Sequence, residues 1–207
     1  MTTLATMKAR IADELARDDL ASQIGLAISD AIRAYQSDRF LFSETRSFTF
    51  STVEGKEFYT VSDVPAFGLM RTVDQITLTI APTVWTLTQR PSYQLEGLTP
   101  ANGQPDDYSI FARQLRFYPV PDAAYSMRLI GSFAVAEPAD DTEAGNVWMN
   151  EAERLIRSRA KLEIMAHVIK DYEAAQAMQG AVADAYSDLK REYNLLTGSG
   201  SFVPTQF

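Results

Sequence analysis

Residues 146–196 read NVWMNEAERLIRSRAKLEIMAHVIKDYEAAQAMQGAVADAYSDLKREYNLL, the longest segment of the chain with one consistent period. Leu155, Leu162, Met165, Ala166, Ile169 and Tyr172 recur at helical spacing, and Ile156, Ala160, Ile164 and Val168 make a second apolar row. Two rows predict a helix covered on more than one side, with Leu162 at the centre of the first row. After Asp171 the pattern restarts through Ala174, Met178, Val182, Ala185, Leu189 and Tyr193, which predicts a tight break at residues 170–172 and a second helix. The end signals agree. Asn150 with Glu153 is a capping-box pattern and Asn146 a rival cap; Asp171 suits the cap of the second helix, and Gly198 stands where a helix closes in a left-handed residue.

Working back to the start, Leu4, Met7, Ile11 and Leu15 predict a short amphipathic helix that ends near Arg17, Asp18 and Asp19. A second helix is expected over residues 20–39, with its stripe formed by Ile24, Ala27, Ile28, Ala31, Ile32 and Tyr35. The stripe around Ile28 and Ile32 is the expected partner of Leu162. Gly25 inside that helix costs about 1 kcal/mol relative to alanine, so it marks a close-packing site or a hinge.

From Phe40 the period changes to two. RSFTFST (46–52) and KEFYTVS (56–62) flank Val53, Glu54 and Gly55, which predicts a β-hairpin with Gly55 at positive φ. Further strands are expected at 70–73, 75–80 and 84–89, and a helical turn at 93–97. A hairpin over 107–112 and 115–118 turns through Arg113 and Gln114, and a last strand covers 126–135. Pro119, Pro121 and Asp122 mark a corner. Helices, strands and helices in that order predict an α+β fold. Residues 1–43 and 144–197 make a helical bundle, 44–143 an inserted antiparallel β module, and 198–207 an extended C-terminal arm.

With 207 residues and no cysteine, the chain can bury a sizeable core and has neither disulfides nor thiolate chemistry. No run is long enough to span a bilayer and no basic, apolar leader is present, so a soluble protein with no membrane partner is expected. The net charge is -8, and the middle of the chain carries most of it, with seven Lys/Arg against thirteen Asp/Glu in residues 44–143. That sign disfavours tight binding to nucleic acid.

Catalytic patterns are missing. The single histidine, His167, lies mid-helix and reads as a packing or surface residue, and no P-loop, dinucleotide fingerprint or HExxH is present. Asp106 and Asp107 read as a solvated turn before a strand rather than a calcium site, and Asp140, Asp141 and Glu143 as a solvated linker. No cofactor is expected. Two features stand out. RLIRSRAK (154–161) puts Arg154, Arg157 and Lys161 on one helical face, either paired with Glu151, Glu153 and neighbouring acids or offered to an acidic partner or passing DNA. The terminal SGSFVPTQF places Phe202, Val203, Pro204 and Phe207 behind a flexible linker, the pattern of an arm that docks on another subunit.

Several segments together resemble the head-to-tail adaptor (neck connector) proteins of tailed bacteriophages: RIADELARDDL (10–20) and AISDAIRAYQSDRFLF (27–42), EFYTVSDVP (57–65), GQPDDYSIFARQLRFYPVPDAAYSMRLIGSF (103–133) and WMNEAERLIRSRAKLEIMAHVIKD (148–171). The resemblance implies a non-enzymatic virion protein, made in the host cytoplasm and placed in the neck between capsid and tail. It implies a ring, generally of twelve copies, that binds the portal protein above and a tail, nozzle or stopper protein below. It further implies that genomic DNA passes through the channel without specific binding and that the C-terminal arm runs into clefts between portal subunits. Baseplate and tail-completion proteins share the Tyr-Pro-x-Pro-Asp portion. The rival from another class is a small-ligand or carbohydrate-binding β module carried on helices, with Trp85, Tyr93 and Tyr108 lining its site. A nucleic-acid regulator is a third class, weakened by the charge.

Overall fold

The computed structural model describes residues 2–198 and shows an α+β protein. Two compact units divide it: residues up to Phe42 together with those from Val135 onward, and Ser43–Ala134.

The first unit opens with α1 (Leu4–Leu15) and α2 (Ala21–Tyr35). Thr3 caps α1 through a reciprocal pair: its hydroxyl accepts from Thr6 N at 3.2 Å, and the Thr6 hydroxyl accepts from Thr3 N at 2.8 Å. Ala16, at φ 50°, ends the helix before the charged turn. α2 stops four residues short of the expected end. Its stripe of Ile24, Ala27, Ile28, Ala31 and Ile32 is buried as predicted. Gly25 is not a tight contact, since a methyl group there meets only the flexible side chain of Lys8, Cε at 3.4 Å and Nζ at 3.8 Å.

The second unit is two facing sheets. After a 3-10 turn at Leu41–Ser43, the chain forms β1 (Glu44–Ser51), β2 (Phe58–Tyr59), α3 (Ala66–Leu69), β3 (Met70–Ile80), β4 (Thr83–Thr86) and β5 (Thr88–Gln89). It continues through α4 (Ser92–Glu96), β6 (Asn102–Gly103), β7 (Asp107–Phe111), β8 (Gln114–Tyr118), β9 (Val120–Pro121) and β10 (Ser126–Phe133). One sheet runs β1-β10-β3-β4 and the other β2-β8-β7-β5, while β6 and β9 make a short parallel pair. The expected break at Asp74 is not there: 70–80 is one strand.

The expected hairpin across Gly55 is overturned. Gly55 does take positive φ, 73°, but β1 pairs with β10 and β2 with β8, in different sheets. The reason lies at Thr52, which is buried. Its backbone N donates to Tyr125 O (2.9 Å), its hydroxyl donates to Ala123 O (2.9 Å) and accepts from Tyr125 N (2.7 Å), so the chain leaving β1 stays bound to the segment before β10. Phe50 and Tyr59 then meet across the core, ring centres 5.9 Å apart, each covering the other's apolar face. A hairpin would have put both on one sheet and left that face open. In the 107–118 hairpin the turn residues are Ala112 and Arg113, both at positive φ (48° and 61°), one position earlier than expected.

Returning to the first unit, residues 135–146 lie against the helices. Trp148 Nε1 donates to Val135 O (3.2 Å), Ala5 N donates to Asp141 O (3.0 Å), and Lys8 pairs with Asp141 at 2.6 Å. Then come α5 (Val147–Asn150), α6 (Glu153–Glu163), a π-helical turn (Ile164–Ile169) and α7 (Tyr172–Thr197). Asn146 caps α5, donating from Nδ2 to Ala136 O and accepting from Trp148 N at 3.1 Å. Asn150 is no cap; its amide oxygen accepts from Thr2 N at 3.1 Å. The break sits where expected, with Lys170 left-handed (φ 62°) and Asp171 accepting from Ala174 N at 3.0 Å, and Gly198 closes α7 at φ 66°.

The core of α6 differs from the prediction. Leu155, Ile156, Ala160 and Ile164 are fully buried, whereas Leu162 is only half-buried at the edge. The second apolar row, not the first, is central. The row ends at Ile164 because the π-helical turn adds a residue to the winding and rotates Val168 outward, where it is 41% exposed.

Candidate partner-binding surfaces

The basic face on α6 is held within the chain. Arg157 pairs with Glu14 of α1 and with Glu153 (3.0 Å), Lys161 pairs with Glu14 (2.6 Å), and Arg154 pairs with Asp188 of α7 (2.9 Å). Arg159, turned away, pairs with Glu163 at 2.5 Å. Arg157 and Lys161 keep only 18% and 14% of their side chains exposed, against 58% for Arg154, which is therefore the accessible member of the three.

Glu14 is the hub of this cluster. Burial works against its charge, but Lys161 and Arg157 outweigh that and hold its carboxyl below its ordinary value. A carboxyl lowered in the folded protein adds stability above its unfolded pKa of about 4.3, and that contribution is lost as pH falls through the folded value. Glu14→Gln is expected to cost about 1–3 kcal/mol at pH 7. The gap between variant and wild type should narrow as pH falls below the unfolded value of about 4.3 and close below the folded one. Thermal melts of both proteins from pH 7 to pH 3 check this; a gap that does not narrow over that range contradicts it.

Phe202, Val203, Pro204 and Phe207 lie outside the described residues. α7 leads up to them, and its last turn presents Leu195 and Leu196, 72% and 65% exposed. His167 is at the surface beside Glu163 (3.2 Å). Asp107 is bound to Arg90 at 2.7 Å, and Asp140 accepts from the Thr142 hydroxyl and from the amides of Thr142 and Glu143, forming a local turn. Those bonds hold the Asp140 carboxyl below its ordinary value. Among the described residues no three metal-ligating side chains converge, and no helix is long and apolar enough to cross a membrane.

The aromatics of the ligand-site reading do not come together. Tyr108 is buried in the core of the β unit, Trp85 is half-exposed on β4 opposite Leu78, and Tyr93 lies on α4. Tyr93 instead lines a cleft with Phe58, Ser92, Glu96, Ser109, Phe111, Gln114 and Arg116. The sequence reading missed this cleft. Its signal was present in the period of two: Phe58 falls out of step with Tyr59, and Phe111 with Ile110, which puts both on the outer face.

Comparison with known proteins adds one match. A family model described as SU10 adaptor protein covers residues 2–202. No curated protein matches the chain.

Proposed function

The chain belongs to the SU10 adaptor protein family, and on that premise we propose that it is a phage virion protein that forms a ring beneath the portal, connects capsid to tail and surrounds the DNA channel. The observation that carries the reading is the family match over nearly the whole chain. Its partners in this reading are the portal protein, a tail, nozzle or stopper protein, and further copies of itself, about a dozen to the ring. DNA passes without specific binding. Two physical features support that. The chain is acidic, and Arg154, Arg157 and Lys161 of α6 are paired with Glu14, Glu153 and Asp188, so this helix face is neutralised and does not hold phosphates.

The portal contact in this reading is the C-terminal arm, Phe202, Val203, Pro204 and Phe207; of the basic face Arg154, Arg157 and Lys161, only Arg154 is exposed enough to serve as a second partner contact. Phe202, Val203 and Phe207 each contribute roughly 1.5–3 kcal/mol if fully buried, before the cost of ordering the segment. Repetition around a ring multiplies a modest gain per copy. Deleting residues 199–207 is therefore expected to leave the melting point of the free protein within a degree or two and to abolish stable attachment in the virion. Co-purification with the portal and quantification of copies per particle measure this. Truncated protein retained at wild-type stoichiometry overturns the role of the arm, and absence of the full-length chain from purified virions overturns the adaptor reading itself.

A further inference from the structure

The outer face of the β2-β8-β7-β5 sheet carries aromatic side chains that its own core does not use. Register sets Phe58 and Ser109 on either side of Arg116, and Phe111 opposite Gln114 on the same face. Tyr59, Tyr108, Leu115 and Phe117 alternate to the inner face and fill the core. Outward positions of a one-sided sheet are normally polar. Here Phe58 is 43% exposed and Phe111 69%, and α4 adds Tyr93 at 72%, so three rings surround one concavity. A cluster of accessible aromatics around a hollow has the composition of an interaction hot spot, not of a solvated surface.

Charge selects the occupant. Arg116 lies at the floor, with Nε 2.5 Å from Glu57, Nη1 3.0 Å from Glu96, and its guanidinium 5.4 Å from the centre of the Phe58 ring. Of the two charged groups that line the cleft, Arg116 is only 14% exposed and is held by Glu57 and Glu96, so the charge presented to a partner is the carboxylate of Glu96. Glu96 is the accessible carboxylate, its side chain 67% exposed beside Tyr93. Aromatic faces with a carboxylate at the rim attract a cation through the ring quadrupole and through direct pairing. Phosphate is repelled by the same charge.

We propose that this cleft docks a Lys or Arg side chain on an apolar-flanked segment of a second virion protein. The inference rests on the adaptor reading only for the source of the partner. The basic group enters between Tyr93 and Phe111 toward Glu96, and the flanking apolar residues cover the exposed ring faces.

The test uses the full chain supplied in trans to a phage lacking its own copy. With p-benzoylphenylalanine at position 93 or 111, irradiation of purified virions is expected to join the chain to one other virion protein within a few residues of a Lys or Arg. Tyr93→Ala with Phe111→Ala, and separately Glu96→Lys, are expected to lower retention of that protein about ten-fold or more; the aromatic variant keeps its melting point because both side chains are exposed, and Glu96→Gln, which removes the charge without setting a cation beside Arg116, gives the same direction of loss. Adducts only to other copies of this chain, or to no protein from either position, overturn the proposal. So does unchanged retention in both variants. Binding of cellotetraose to the isolated chain that Tyr93→Ala abolishes, without a virion adduct, overturns it in favour of a carbohydrate site. In each of these cases the chain is still found in virions, which keeps this failure distinct from failure of the adaptor reading.

Discussion

Gly131→Ala is expected to lower stability by about 3 kcal/mol or more, which for a chain of this size is a fall in melting point of roughly 6–12 °C. β10 runs between β1 and β3, and Gly131 sits where its ladder with β3 shifts register, between Ile130 and Gly131. A Cβ at this position falls 2.1 Å from Thr72 O, 3.0 Å from Thr72 C and 3.1 Å from Val73 Cα. All three are backbone atoms of the adjacent strand, so no side chain can rotate away. Relief requires β3 and β10 to part, which uncovers Ile76 and Leu129, both buried in the β core. Differential scanning calorimetry measures the shift, and limited proteolysis should place new cleavage within Ser43–Ala134. A melting point within a degree of wild type shows that the strands do not approach this closely.

Trp148→Ala is expected to cost about 3–5 kcal/mol. Trp148 is the largest fully buried side chain, 1% exposed. Its ring meets Phe42 edge-on at 5.1 Å and Phe40 at 6.3 Å, and its Nε1 is the donor to Val135 O. Truncation loses the apolar burial, opens a cavity among these rings, and removes that donor. Trp148→Phe keeps most of the packing and should cost less than half as much. The chain has two tryptophans, so the alanine variant emits only from Trp85, which is half-exposed. Its native fluorescence should shift to the red. An unshifted spectrum with an unchanged midpoint contradicts the placement of Trp148 at the centre of this core.

The family was legible through resemblance. The order of weak motifs from RIADELARDDL to the 148–171 helix pointed to phage adaptors, and the family match over residues 2–202 bears that out. The candidate surfaces were less legible. The basic face of α6 could be read as three like charges, but Glu14 lies 147 positions from Lys161 and is brought to it only when α1 packs on α6. The aromatic cleft joins residues from β2, α4, β7 and β8, and no local pattern ties Phe58 to Phe111.

Features set by neighbours a few residues apart were determined by the sequence alone. They include the stripes of α1 and α2, the break at Lys170 with the Asp171 cap, the left-handed Gly198, and the positive φ of Gly55. Each follows from steric limits, capping bonds or a period that one short segment carries by itself. Features that depend on which distant segment arrives were decided by tertiary structure. Thr52, bound to the segment before β10, sends β1 and β2 into different sheets where local pattern favours a hairpin. On α6, the neighbours that arrive select Ile156 over Leu162 as the centre, because an apolar row states only that a side is covered, and the packing partner states how deeply.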